Sequence, residues 1–247
     1  MRLALLADVH ANLEALRACL AHARAEGAEA HAFAGDLVGY GADPVAVLEI
    51  VAEHAARGAM VVRGNHDQAA IDGLTGSMDP AAAEAIAWTR ARLGPAERAF
   101  LEGLPLVARQ GELALVHASA DRPADWTYVT DPWRAAQSLA AAGATWVYCG
   151  HVHQPALYYA GAGGRVLPFT PVPEVAIPVP GHRRWLAVIG SAGQPRDGIA
   201  AACYALADLA RGTLTFHRVP YDVAGAAARI RAAGLPERLA ARLERGR

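Results

Sequence analysis

The stretch Arg2-Leu3-Ala4-Leu5-Leu6-Ala7-Asp8-Val9-His10 decides how the chain is read. Five apolar residues run together, then an acid and an imidazole follow two positions apart. A short apolar run that ends in polar residues reads as a buried strand. Asp8 breaks the run too early for a secretory or membrane-spanning segment. Asn12 can cap a helix whose Leu13, Leu16, Cys19 and Leu20 recur at helical spacing. "HAFAG" (31–35) follows as a second strand. Pro44 sits in the first turn of a helix to about Arg57, with Val45, Leu48 and Val51 on one face. "AMVVRG" (59–64) is a third strand. A β-α-β-α-β order of this kind implies a parallel sheet with right-handed crossovers.

Farther along, Asp79-Pro80, Pro95 and Asp131-Pro132 read as helix starts. Strands are expected near 105–109, 112–116 and at "TWVYCG" (145–150). Residues 156–219 change character: "ALYY", "WLAVIG", "AACYALA" and "GTLTFHRV" are short runs separated by Gly, Pro, Arg and Asp, and they read as an antiparallel sheet. From Asp222 onward, two short helices break at Gly234-Leu235-Pro236. This tail holds more Arg than acid and reads as a solvated helix face. No repeat or linker interrupts the chain, so a single domain over residues 1–247 is expected.

The totals exclude several classes of function. The formal net charge is −1, which argues against broad electrostatic binding to a nucleic-acid polymer or an anionic membrane. Apolar residues make up 53%, enough for a sizeable core. All 23 basic residues are arginine. Cys19, Cys149 and Cys203 are odd in number and widely spaced, as in a reducing cytoplasm rather than a disulfide framework.

The chemistry collects where apolar runs stop. Successive strands end in Asp8-Val9-His10, Gly35-Asp36, Gly64-Asn65-His66-Asp67, His117, and Gly150-His151-Val152-His153. In open α/β sheets, ligands gather beyond the carboxyl ends of the strands, so these side chains can meet in space. Five of the ten histidines lie there; His22, His31, His54, His182 and His217 do not, and read as surface or core residues. Carboxylate, imidazole and amide oxygen without cysteine suit Mn, Fe, Co, Ni, Zn or Mg rather than a structural zinc. Asp8, His10, Asp36, Asn65, His117, His151 and His153 are too many ligands for one ion; two ions sharing one carboxylate would use them. The glycines before Asp36, Asn65 and His151 fit strands that must turn sharply.

The ordered blocks D-x-H, G-D, G-N-H-D, H and G-H-x-H resemble the calcineurin-like metallophosphoesterase superfamily. "DVHANLEAL", "GDLVGYGADP", "VRGNHD", "GHVHQP" and "GSAGQPRDG" are similar to its small bacterial phosphodiesterase-like branch. The resemblance implies a four-layer α/β/β/α sandwich with two mixed central sheets. It implies two divalent metal ions, manganese first, with Asp8, His10 and His153 on one, Asn65, His117 and His151 on the other, and Asp36 bridging. It further implies hydrolysis by a hydroxide held between them. His66 becomes the proton donor to the leaving alkoxide or a phosphate contact, and Asp67 orients its ring; the alternative is that both only cap the next helix. Arg63, Tyr40 and Arg196 are candidate substrate contacts, and Trp126, Tyr128 and Trp133 candidate walls. Asn-Pro often precedes Gly-Ser in this branch, whereas Val188-Ile189 stands here. The expected substrate is a phosphodiester or small phosphomonoester. Alternatives are a dinucleoside polyphosphate, a phosphoprotein, or no substrate at all in a metal-binding scaffold. An exposed sheet edge or the helical tail could pair two copies.

Overall fold

The computed structural model describes residues 1–76 and 78–247. Those residues build two six-stranded mixed sheets and eight α-helices. The opening apolar run is β1 (Arg2–Leu6), followed by α1 (Leu13–Ala25), β2 (Ala30–Phe33), α2 (Pro44–Ala56) and β3 (Met60–Val61). Asn12 caps α1 as expected, its Oδ1 accepting from Ala15 N at 3.1 Å. β1, β2 and β3 pair in parallel, in the order β3-β2-β1.

The middle of the chain contributes α3 (Asn65–Asp72), α4 (Pro80–Arg90), α5 (Pro95–Gly103), β4 (Val107–Gln110), β5 (Leu113–Val116), α6 (Pro132–Ala142) and β6 (Trp146–Cys149). The remainder forms β7 (Ala156–Ala160), β8 (Val166–Phe169), β9 (Ile177–Pro178), β10 (Trp185–Val188), β11 (Ala202–Asp208), β12 (Thr213–Val219), α7 (Val223–Ala232) and α8 (Glu237–Arg245).

One expectation is corrected here. Residues 156–219 do not form a sheet of their own. β7, β8 and β10 join β4-β5-β6, while β11, β12 and β9 join the first sheet beside β1. The runs are mutually antiparallel where they pair, but β10 lies parallel to β6. Burial explains the division. β11 is buried on both faces over six of its seven residues, so it needs a central position, which it takes between β1 and β12.

Strand alternation assigns each side chain to a layer. Leu3 and Leu5 of β1, with Ala205 and Ala207 of β11, face Leu115 and Tyr148 of the second sheet across a shared core. The alternate residues Ala4 and Leu6 face away, against Leu16 of α1 and Val47 of α2. On the second sheet Val147 and Cys149 turn outward onto Leu139 of α6. Helices thus cover the outer face of each sheet, as in the expected four-layer sandwich. A further apolar cluster joins α4, α7 and α8 to Tyr40. Among the described residues no helix is long and apolar enough to cross a membrane. The three cysteines are free and buried.

Candidate metal centre

The carboxyl ends of β1, β2, β3, β5 and β6 bring the seven metal-capable residues together. Asp8, His10 and His153 offer ligand atoms within 4.8 Å of one another, and so do Asp36, His117 and His151. Asn65 Oδ1 lies 3.0 Å from His117 Nε2. Asp36 stands between the two groups, its Oδ2 3.3 Å from His117 Nε2 and 3.7 Å from His10 Nε2. His22, His31, His54, His182 and His217 take no part: His22 meets Tyr204 Oη at 2.8 Å, and His217 meets Glu174 at 2.6 Å.

The backbone holds these residues in uncommon conformations. Asp8, His10, Asp36, His151 and His153 all have φ between 50° and 69°. The left-handed region costs a non-glycine residue on the order of 1 kcal/mol or more, and such residues cluster at functional sites. Gly64 and Gly150 answer to close approach rather than to dihedral freedom. A Cβ on Gly64 would collide with Oδ1 and the main-chain nitrogen of Asp36. One on Gly150 would strike the Asp8 carboxylate and come within 2.7 Å of Ala7 Cβ. Only Gly35, of the three expected to permit a sharp turn, has a left-handed φ, at +80°. Gly64→Ala must therefore displace Asp36. The expected cost is about 1–3 kcal/mol of stability, with a weaker affinity for divalent metal. Thermal melts and metal titration of the variant would check both; a fully folded variant with unchanged affinity would contradict it.

Main-chain carbonyls fix how the imidazoles face. His10 Nδ1 lies 3.1 Å from Val38 O, His153 Nδ1 2.6 Å from Gln194 O, and His117 Nδ1 2.8 Å from Ala34 O. A carbonyl can only accept, so each Nδ1 carries a proton and, in the neutral ring, each Nε2 presents a lone pair. The Nε2 atoms of His10 and His153 then face each other at 3.1 Å. Two lone pairs at that distance repel unless a cation lies between them. Burial, the largest influence on His10, drives its ring well below the usual imidazole range, so an added proton is a poor candidate for that cation. The donor set fits a metal.

Electrostatics on the other side of Asp36 differ. Burial disfavours charge on His117, but the Asp36 carboxylate and its hydrogen bond, together with Asp8, more than reverse this and raise the ring to about 9. Burial likewise opposes charge on Asp36, yet His117 and His66 hold its carboxyl well below the ordinary value. His151 is pushed down to about 3 by burial and by the neighbouring His117. A proton and a metal thus compete for His117 Nε2.

Asp67 corrects the role expected of it. Its Oδ1 accepts from Leu37 N at 2.8 Å and Val38 N at 3.1 Å, and its Oδ2 from Gly64 N at 2.9 Å. The carboxylate braces the loop that carries Asp36 and Val38, and does not orient the His66 ring. Burial, then Asp36, raises it to about 7. His66 donates its main-chain N–H to Asp36 Oδ1 at 2.8 Å, and its ring Nδ1 is buried without a partner. Burial lowers this ring to about 4, so it is neutral at pH 7.

A cleft of about 630 Å³ opens over the cluster, with His66, His151, Tyr40, Arg196, Trp126 and Tyr128 among its lining. Tyr128 stacks on His151 at 3.9 Å between ring centroids, and Trp126 lies edge-on to His117 at 5.9 Å. Arg63 does not line the cleft; its main chain bonds to Pro105 O instead. Trp133 is largely exposed and lies outside it too. Two contributors had no signal of their own. Gln194 acts through its carbonyl on His153, within the "GSAGQPRDG" block. Arg242 of α8 reaches the cleft from the arginine-rich tail.

Known proteins share this architecture. Residues 1–212 match the calcineurin-like phosphoesterase superfamily domain. A protein of Methanocaldococcus jannaschii, itself described only as uncharacterized, is 32% identical over 254 residues, covering 99% of this chain and 98% of its own. The crystal structure of a metallophosphoesterase from Sphaerobacter thermophilus superposes with a TM-score of 0.89 at 35% identity over the whole of both chains. A hypothetical protein from Pyrococcus horikoshii shares the fold at a TM-score of 0.79 and 21% identity, covering 100% of this chain and 98% of that one. The domain match spans every strand end that feeds the cluster, and the chain belongs to the calcineurin-like phosphoesterase superfamily.

Proposed function

We propose that the protein is a hydrolase of phosphodiesters or small phosphomonoesters that works with two divalent cations, manganese first among them. The observation that carries this reading is the meeting of His10 Nε2 and His153 Nε2 at 3.1 Å, with both Nδ1 atoms committed to carbonyls. Asp8, His10 and His153 would hold one cation, Asn65, His117 and His151 the other, and Asp36 would touch both. When bound, such cations act as Lewis acids: they lower the pKa of water and neutralise charge on phosphoryl oxygens.

The chain's own groups divide the remaining work. The carbonyls of Val38, Gln194 and Ala34 keep three imidazoles aimed inward, an outer shell of the kind that tunes ligand basicity. Asp67 fixes the loop that positions Asp36. His66 faces the cleft and donates a hydrogen to the leaving oxygen. Its ring is neutral alone, and an anionic substrate beside it would supply the charge that favours a second proton. Tyr128 covers His151, and with Trp126 offers an aromatic wall to a substrate's organic part.

The test is elemental analysis of protein purified without added metal, followed by a Mn²⁺-supplemented panel. The panel holds bis-nitrophenyl phosphate, nitrophenyl phosphate, cyclic nucleotides, diadenosine tetraphosphate and a phosphopeptide. Bound divalent metal and turnover of at least one small ester are expected. Metal-replete protein inert on the whole panel would replace the enzyme with a non-catalytic scaffold.

A further inference from the structure

The cleft carries two guanidinium groups that no carboxylate neutralises. Arg196 lies two residues after Gln194, and Arg242 projects from α8. Arg196 Nη2 donates to Tyr40 Oη at 3.3 Å and to Gln194 Oε1 at 3.2 Å, both neutral, while its Nε is buried without a partner. Among the described residues neither arginine enters an ion pair, whereas nearby arginines do. Arg238 pairs with Asp79, Arg231 with Glu237 and Glu244, and Arg218 with Asp197. The acids lining the cleft are engaged elsewhere. Asp72 accepts from Gln68 Nε2 and Leu74 N, Asp79 caps α4 and meets Arg238, and Asp125 meets Arg122.

Two like charges held together in a half-buried cleft oppose each other. Burial, then the Arg196 charge, lowers the Arg242 guanidinium below its ordinary value. An anion between them would relieve that, and guanidinium binds phosphate oxygens bidentately. Arg196 stands one aromatic ring away from His10, a proposed cation ligand. Tyr40 lies 4.5 Å from both His10 and His66 between ring centroids, and Arg196 Cζ is 5.8 Å from the Tyr40 centroid.

We propose that Arg196 and Arg242 form a second anion subsite, and that the substrate class is an organic phosphate bearing a second phosphate group. This rests on the phosphoesterase reading above and specifies it. α8 then does more than close the apolar cluster: its Leu239 and Leu243 are buried while Arg242 selects substrate.

The probe is a matched, non-hydrolysable pair, propane-1,3-bisphosphonate and propylphosphonate, titrated calorimetrically into Mn²⁺-loaded protein. The wild type should bind the bisphosphonate at least about tenfold more tightly, the scale of one charge-assisted pair. Arg242→Ala should reduce that ratio to about threefold or less while propylphosphonate affinity stays within about twofold, and Arg242→Lys should restore part of it. Circular dichroism melts would confirm that both variants fold, and Arg196→Lys provides a second route should they not. A wild-type ratio near one overturns the subsite, as does a ratio kept in Arg242→Ala. Equal weakening of both phosphonates also overturns it, by assigning Arg242 to the reacting phosphoryl group. Failure of the enzyme reading shows itself separately, as metal-loaded protein without turnover on the panel.

Discussion

Asp36→Asn is expected to remove metal and activity together. The substitution keeps shape and one acceptor, so Oδ1 can still receive the His66 main-chain N–H now bonded at 2.8 Å. What it changes is the atom between the two ligand groups. Oδ2, 3.3 Å from His117 Nε2 and 3.7 Å from His10 Nε2, becomes an NH₂ group with no lone pair to give. Both proposed cations lose a ligand at once, along with the one negative charge that they share. Outer-shell mutations at metal sites alone cost about 10–100-fold in affinity, so a shared inner ligand should cost at least about 100-fold. Calorimetric Mn²⁺ titration and elemental analysis would read the first loss, and bis-nitrophenyl phosphate turnover the second. His117 offers an internal check. Asp36 is the main influence raising its ring to about 9, so the metal-free variant should titrate His117 at lower pH by NMR. A variant that kept full metal occupancy would remove Asp36 from the shared position.

How much of this was legible in the chain depends on what each feature leaves in a side chain. Strand ends are legible because an apolar run that stops at Asp8, Asp36 or His117 changes composition abruptly, and parallel topology sends those ends to one edge. Sheet membership is not. The run at 202–208 shows that it is buried, but nothing local says that Leu3 will lie opposite Ala207 rather than a nearer strand. That choice is made by pairing across some two hundred residues of chain. The carbonyls of Ala34, Val38 and Gln194 were invisible for another reason: every residue has one, and only the fold selects which three meet a histidine. Adjacency to His66 in sequence suggests a contact that the Asp67 carboxylate does not make, since it accepts from Leu37, Val38 and Gly64 instead. A helix start turns neighbouring side chains apart, and Asp67, at the third helical position of α3, bonds back to Gly64. Arg242 was hidden in a tail whose charge looked solvated. Arg231, Arg238 and Arg245 share its helical neighbourhood, and only packing of Leu239 and Leu243 decides which one turns inward.

His66→Ala should leave metal content intact and slow hydrolysis by about 10²–10⁴-fold, the usual contribution of positioned proton transfer. His66 differs from the neighbouring histidines in its partners. His10, His117 and His153 each spend Nδ1 on a carbonyl and turn Nε2 to the ligand cluster. His66 spends Nδ1 on no carbonyl: that atom is buried and unpartnered, and the residue lines the open cleft. Loss of a proton donor hurts most when the departing oxygen is a strong base. The variant should therefore lose far more rate on an alkyl ester than on a nitrophenyl ester, whose leaving group needs little help. The competing possibility is concrete, because His66 also lies within 4.8 Å of His10 and Asp36 at the level of ligand atoms. If the ring were a ligand, the alanine variant would bind less metal, and added Mn²⁺ would restore its rate on both esters alike. A metal-replete variant with a steepened dependence on leaving-group pKa makes His66 the acid; a metal-depleted one with an unchanged dependence makes it a ligand.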